Sequence, residues 1–144
     1  MPTLIYRERV LPSFGTFLWP AVVGVLLFAT LLPLSEAGAW CAAVVVVFTF
    51  ELLLVLRAPL ILVTESELLV GRARIDRKHL GAASSINSED AFAERGHRLD
   101  ARAYTSFQTS IRTMVKVEIS DSTDPTPYWL FSSRNSERLA ELLG

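Results

Sequence analysis

Two apolar runs stand back to back near the start of the chain, and they decide most of what the rest can be. Phe14 to Leu34 is 21 residues without a charge, and Ala37 to Leu56 is 20 residues interrupted only by Glu51. At 1.5 Å per residue, a helix of either length crosses a hydrocarbon core about 30 Å thick. Both runs carry Val, Leu, Phe and Ala on every face, so lipid or protein must solvate them rather than water. The link Ser35-Glu36 is so short that the two helices are expected to be antiparallel neighbours.

Charge follows the same division. Between Phe14 and Leu56 only Glu36 and Glu51 are charged, and nearly all the other charges come after Arg57. Arg7 and Arg9 precede the first run, and Arg57, Arg72, Arg74, Arg77 and Lys78 follow the second, whereas the connecting loop has only Glu36. This asymmetry predicts a multi-pass membrane protein with both termini cytoplasmic. Trp19 and Trp40 fall near opposite boundaries, where indole rings favour the interface. A secretory signal ending at Ala37-Gly38-Ala39 is the competing reading. It fits less well, because the first run is long for a signal and a second membrane-length run follows at once. Pro33 is placed in the last turn of the first helix. Pro20 either kinks a helix that begins near Pro12 or lies in the first turn of one that begins near Trp19.

After Arg57 the periodicity changes from helical to alternating. Leu60–Thr64 and Glu67–Ile75 read as a hairpin about Glu65-Ser66, with a further strand over Arg77–Leu80. A polar stretch from Ser85 to Gly96 contains a short helix, Asp90–Glu94, capped by Asn87 or Ser88. From Ile111 to Ser120, Ile111, Thr113, Val115, Val117 and Ile119 share one face. Arg112, Met114, Lys116, Glu118 and Ser120 share the other, expected to be wet. Tyr128–Ser132 returns as its antiparallel partner, and Asn135 or Ser136 caps a closing helix with Leu139, Leu142 and Leu143 as its stripe. The expectation is an α+β membrane protein: an N-terminal segment (1–13), two transmembrane helices (14–34 and 37–57), and a small antiparallel-sheet domain with a C-terminal helix (58–144). That order of elements is similar to bacterial pleckstrin-homology-like domains.

Several segments together resemble one family, the actinobacterial two-helix membrane proteins of domain of unknown function 3093. Tyr6-Arg7-Glu8-Arg9, Gly71-Arg72-Ala73-Arg74-Ile75, Arg102-Ala103-Tyr104, Ile111-Arg112-Thr113 and Val115-Lys116-Val117-Glu118 carry the resemblance. The most specific stretch is Asp124-Pro125-Thr126-Pro127-Tyr128-Trp129-Leu130, with Ser133-Arg134 in register after it. Ser110, where an aromatic is expected, and Asn135-Ser136, where a basic residue and proline are expected, depart from the pattern. The resemblance implies a plasma-membrane location and supplies no activity.

Few residues look chemical. Glu51 is six positions before Arg57, about 9 Å along a helix. It is either an intramembrane acid with a proton-relay or partner role or a side chain reaching toward a nearby arginine. Arg72, Arg74, Arg77 and Lys78 are candidates for gripping anionic headgroups or a partner, although Glu65, Glu67 and Asp76 are interleaved with them. His79 and His97 have no acidic neighbour at ligand spacing, and Cys41 is the only cysteine, so no metal site or cofactor is expected. No nucleophile or phosphate-loop pattern is present, so no enzyme is expected. A net charge of −1 argues against nucleic acid as a partner. Asp124, Pro125, Thr126 and Pro127 read as a rigid turn before Tyr128 and Trp129. The remaining expectation is a non-enzymatic accessory or scaffold protein whose domain binds a protein partner at the inner membrane surface. An anionic-lipid module is the alternative, and a proton-linked component built on Glu51 is the third.

Overall fold

A computed structural model describes residues 3–144. The chain forms two units: a helix pair (residues 11–58), and a domain built from the residues through Val10 together with Pro59–Gly144.

The helix pair consists of α1 (Phe14–Leu31) and α2 (Glu36–Leu56). Both are long and apolar enough to cross a membrane, with mean hydropathies of 2.0 and 2.5. Pro20 lies well inside α1, which begins after Ser13, so the helix tolerates a proline that cannot donate to the carbonyl one turn back. Pro33 falls after the helix rather than in its last turn, because α1 stops at Leu31. The Ser35 hydroxyl caps α2 by accepting from Gly38 N at 3.2 Å, and Glu36 complements the helix dipole in the first turn. The buried residues of the pair are small: Pro20 and Gly24 on α1, Ala39 and Ala43 on α2. Each set is four apart, so small side chains line one stripe and let the backbones approach. Phe28 and Trp40 meet across the pair with ring centroids 4.6 Å apart.

The domain includes a strand from within the N-terminal segment 1–13. β1 (Leu4–Arg9) pairs antiparallel with β2 (Leu60–Thr64), so the two strands that flank the helix pair are hydrogen-bonded neighbours. β3 (Glu67–Val70) and β4 (Ala73–Asp76) complete a four-stranded meander. The run from Glu67 to Ile75 is therefore two strands and not one. It breaks at Gly71-Arg72, where Val70 and Ala73 face each other and Gly71 takes φ +62°. A two-residue hairpin loop needs positive φ at its first position, and glycine supplies it without strain. Arg72 thus sits in the turn at the end of the sheet, whereas Arg74 lies on β4. Arg77–His79 forms a 3₁₀ turn in place of the expected strand, and β5 runs from Leu80 to Ile86.

The second sheet has the order β5-β7-β8-β6, with β6 (Tyr104–Ser106), β7 (Met114–Ile119) and β8 (Tyr128–Ser132). β6 lies parallel to β8; the other pairs are antiparallel. One core fills the space between the sheets: Val10, Ile61, Val63, Leu68 and Val70 from the first, Val115, Val117, Trp129 and Phe131 from the second. α4 (Ser136–Leu143) lies against β5 and β7 and closes that core with Leu139, Ala140 and Leu143.

The far face of the second sheet is not the wet face that alternation in β7 suggested. Met114 is completely buried there with Leu130, Tyr128, Ile86 and Ala91, beneath the excursion that carries α3 (Ala91–Arg95). Period-two alternation places side chains on opposite faces, but which faces are covered depends on chain distant in sequence. β8 is buried along its whole length for this reason.

Candidate functional site

The sequence-selected residues do not converge on one place. Arg74 Nε lies 3.7 Å from Glu67 Oε2 with both side chains exposed, a contact of little energetic weight. Arg77 is engaged elsewhere: its Nη2 donates to Leu142 O at 2.6 Å, satisfying one of the carbonyls that end α4. Lys78 Nζ lies 3.2 Å from Asp76 Oδ2. Of the four, Arg72 and Arg74 have exposed side chains that project from the first sheet or its turn.

The turn before β8 is built as its composition suggested. Asp124 Oδ1 accepts from Thr126 N at 2.8 Å, and Pro127 O accepts from Ile119 N at 3.1 Å, joining the turn to the end of β7. Trp129 enters the main core and packs on Tyr104 at 4.9 Å between centroids. Tyr128 goes to the opposite face. Its hydroxyl accepts from Asp100 N at 2.8 Å, and Lys116 Nζ stands 4.4 Å above its ring. Both aromatics are buried, which leaves neither as a surface contact.

A polar cluster that the sequence reading did not single out ties the first strand to the last connection. Glu8 Oε2 accepts from Tyr6 Oη at 2.7 Å and Ser133 Oγ at 2.6 Å, while Glu8 Oε1 accepts from Arg134 N at 2.9 Å. Asn135 Nδ2 donates to Tyr6 Oη at 3.3 Å. Burial, and then the hydrogen bond to the Glu8 carboxylate, raises the Tyr6 phenol above its ordinary range. The signal was present in Tyr6-Arg7-Glu8-Arg9 itself. Period two puts Tyr6 and Glu8 on the face that turns toward the core and leaves Arg7 and Arg9 exposed.

Arg95 is a second unpredicted centre. Its Nη2 donates to Ile111 O at 2.6 Å and Ser132 Oγ at 3.3 Å, and its guanidinium lies 5.1 Å from the Phe107 ring centroid. Burial lowers its pKa. These bonds fasten α3 to the second sheet. On the outer side of the same helix Phe92 is 86% exposed. It borders a shallow hollow lined by Ser88, Ala91, Arg95, Thr109 and Arg112.

Glu51 lies at one end of an apolar groove along the helix pair, lined also by Gly24, Phe28, Trp40, Ala43 and Val47. Among the described residues no three His, Cys, Asp or Glu side chains gather as a metal set. His79 Nδ1 is 3.8 Å from Asp121 Oδ2. The buried hydroxyls of Ser132 and Ser133 are committed to Arg95, Gln108, Glu8 and Asn135.

The architecture therefore defines an α+β protein in which a helix pair of membrane length is inserted, in sequence, between the first two strands of a two-sheet domain. By family, the chain belongs to the group described as protein of unknown function DUF3093, whose model matches residues 5–143. No curated protein and no solved structure matches it.

Proposed function

We propose that the chain is a two-pass plasma-membrane protein with both termini in the cytoplasm, whose pleckstrin-homology-like domain is a non-enzymatic adaptor for a protein partner. The pairing of β1 with β2 carries this reading. Strands that are hydrogen-bonded neighbours lie on one side of any membrane, so the chain between them crosses an even number of times, and two helices are available. Only 11% of each apolar window is buried, unlike the core helix of a soluble protein. The basic flanks and the uncharged-to-acidic loop support a cytoplasmic domain. Two four-stranded sheets around one core, closed by a C-terminal helix, support the pleckstrin-homology-like description.

Within this reading the partner docks on the α3 flank. Phe92 is the most exposed large apolar side chain of the domain, and Thr109 and Arg112 beside it offer polar rim contacts. An aromatic anchor with an arginine rim is the composition found at energetic centres of protein interfaces. The test is site-specific photo-crosslinking from position 92 in the full-length protein in native membranes. A single discrete adduct, lost when the probe is moved to exposed Ser122, is the expected result. No adduct at position 92, or the same adducts from both positions, would refute the docking site.

A further inference from the structure

The outward face of the first sheet has a graded charge. Ile61, Val63, Leu68 and Val70 point into the core, so alternation turns Leu60, Leu62 and Leu69 outward. The strand registers align Arg7, Leu62, Leu69 and Arg74 as one row across all four strands. The next row pairs Arg9 with Leu60, and Gly71 N bonds to Leu60 O at 2.8 Å, which brings the Arg72 turn beside it. At the other end of the strands Glu67 faces Asp76, next to Glu65 in the β2–β3 turn. The face is therefore apolar along its middle and basic at one end, while at the other end Glu65, Glu67 and Asp76 stand beside Arg77 and Lys78, with Lys78 paired to Asp76.

The basic end is where the chain leaves for the helices. Four residues separate Arg9 from α1, and three separate α2 from Leu60. From Leu56 to Leu60 an extended chain reaches at most about 14 Å. The tether thus limits how far Leu60 can lie from the end of α2.

We propose that this face rests on the anionic phospholipid headgroups of the leaflet that the helices enter, with Arg7, Arg9, Arg72 and Arg74 on the phosphates. The inference rests on the membrane reading above but not on the adaptor site. All four arginines are exposed, and Glu67 engages Arg74 only through the long contact already described. Leu60, Leu62 and Leu69 meet the interfacial region between them. The far end, where three carboxylates face Arg77 and Lys78, offers no net positive charge to the same surface, so attraction is concentrated at the basic end. Arg77 and Lys78 are not part of this face, since one closes α4 and the other pairs with Asp76.

The experiment uses the full chain with Cys41→Ser and Leu69→Cys, labelled with a fluorophore and placed in nanodiscs containing nitroxide-headgroup lipid. The discs are phosphatidylcholine alone or equal parts phosphatidylcholine and phosphatidylglycerol. Quenching is expected in the anionic discs only, and high salt reverses it. Each arginine changes the docked-to-free ratio about fivefold, so Arg7→Gln with Arg74→Gln lowers it about 25-fold. Glu67→Gln acts in the opposite direction and strengthens quenching, which a misfolded domain does not do. Equal quenching in both discs, none in either, or an unaffected double variant overturns the proposal. A chain that fails to enter the discs overturns the membrane reading together with it, whereas entry without docking overturns this inference alone.

Discussion

Excising the domain at the apparent end of the second helix removes part of its core. A fragment of residues 58–144 lacks β1, and with it Val10, which is fully buried, and Glu8, which accepts from Ser133 and Arg134. Burial of a valine contributes about 1.5–3 kcal/mol, and charge-assisted hydrogen bonds at Glu8 contribute about 1.5–3 kcal/mol more. The loss of about 3–6 kcal/mol is large against a total domain stability of about 5–15 kcal/mol. It also leaves Leu60–Thr64 as an open edge with unpaired backbone groups, a template for aggregation. The remedy follows from the topology. Val10 N donates to Pro59 O at 2.9 Å, so a short Gly-Ser linker can replace residues 11–58 and join the two halves. The assay is soluble yield, size-exclusion behaviour and thermal melting of the 58–144 fragment beside the fusion of 3–10 to 59–144. The fusion is expected to be monomeric and cooperative, and the fragment to aggregate or to melt lower by at least about 12 °C, at about 4–8 °C per kcal/mol. A monomeric fragment that melts within about 5 °C of the fusion would refute the assignment of β1 to the core.

Four further outcomes follow from single contacts. Glu8→Ala is expected to cost about 2 kcal/mol and to speed amide exchange across Leu4–Arg9 about 30-fold, while exposed Arg7→Ala leaves it unchanged. Gly71→Ala forces a side chain into positive φ and is expected to cost about 1–2 kcal/mol in a thermal melt, with the β3–β4 turn affected first. At Gly24 an added methyl overlaps Val47 Cγ2, so Gly24→Ala is expected to weaken disulfide cross-linking between engineered cysteines on the two helices, and Val47→Ala to restore it. Tyr6 has a raised pKa, so its contribution is complete below pH about 10 and is lost as pH climbs through the higher folded value. Alkaline unfolding followed by circular dichroism should therefore lose part of its pH dependence in Tyr6→Phe.

The helix pair was legible in the sequence because its signal is local: an apolar run of membrane length needs no distant partner to be recognised. The same holds for β8, the Asp124–Pro127 turn and the closing helix. What escaped depends on distant contacts. Leu4–Arg9 is a strand only because β2, more than fifty residues later, lies beside it. Met114 sits on what alternation marks as a polar face, and it is buried because α3 and residues after it fold over that face. The break at Gly71-Arg72 was local and visible, since a glycine inside an alternating run marks a turn or bulge. Arg77 and Lys78 are near Arg72 and Arg74 in sequence, but the turn and the 3₁₀ segment send them to different neighbours.

The segments that carry the family resemblance are, in this chain, mostly engaged in holding the domain together. Tyr6 and Glu8 bind the connection to α4, Gly71 makes the only positive-φ turn among the described residues, and Asp124 and Pro127 fix the entry to β8. Trp129 and Tyr128 then fill opposite faces of one sheet. In this chain they help to close a domain whose first two strands are interrupted in sequence by a helix pair. A functional residue has to be sought among those the fold does not need. Arg7 and Arg9 alternate with the structural Tyr6 and Glu8 in the same four-residue motif, and they are exposed and make no contribution to the core. One face of this strand ties the domain together through Tyr6 and Glu8, and the other carries the two arginines that we propose meet the headgroups, so a single strand separates the structural role from the proposed one.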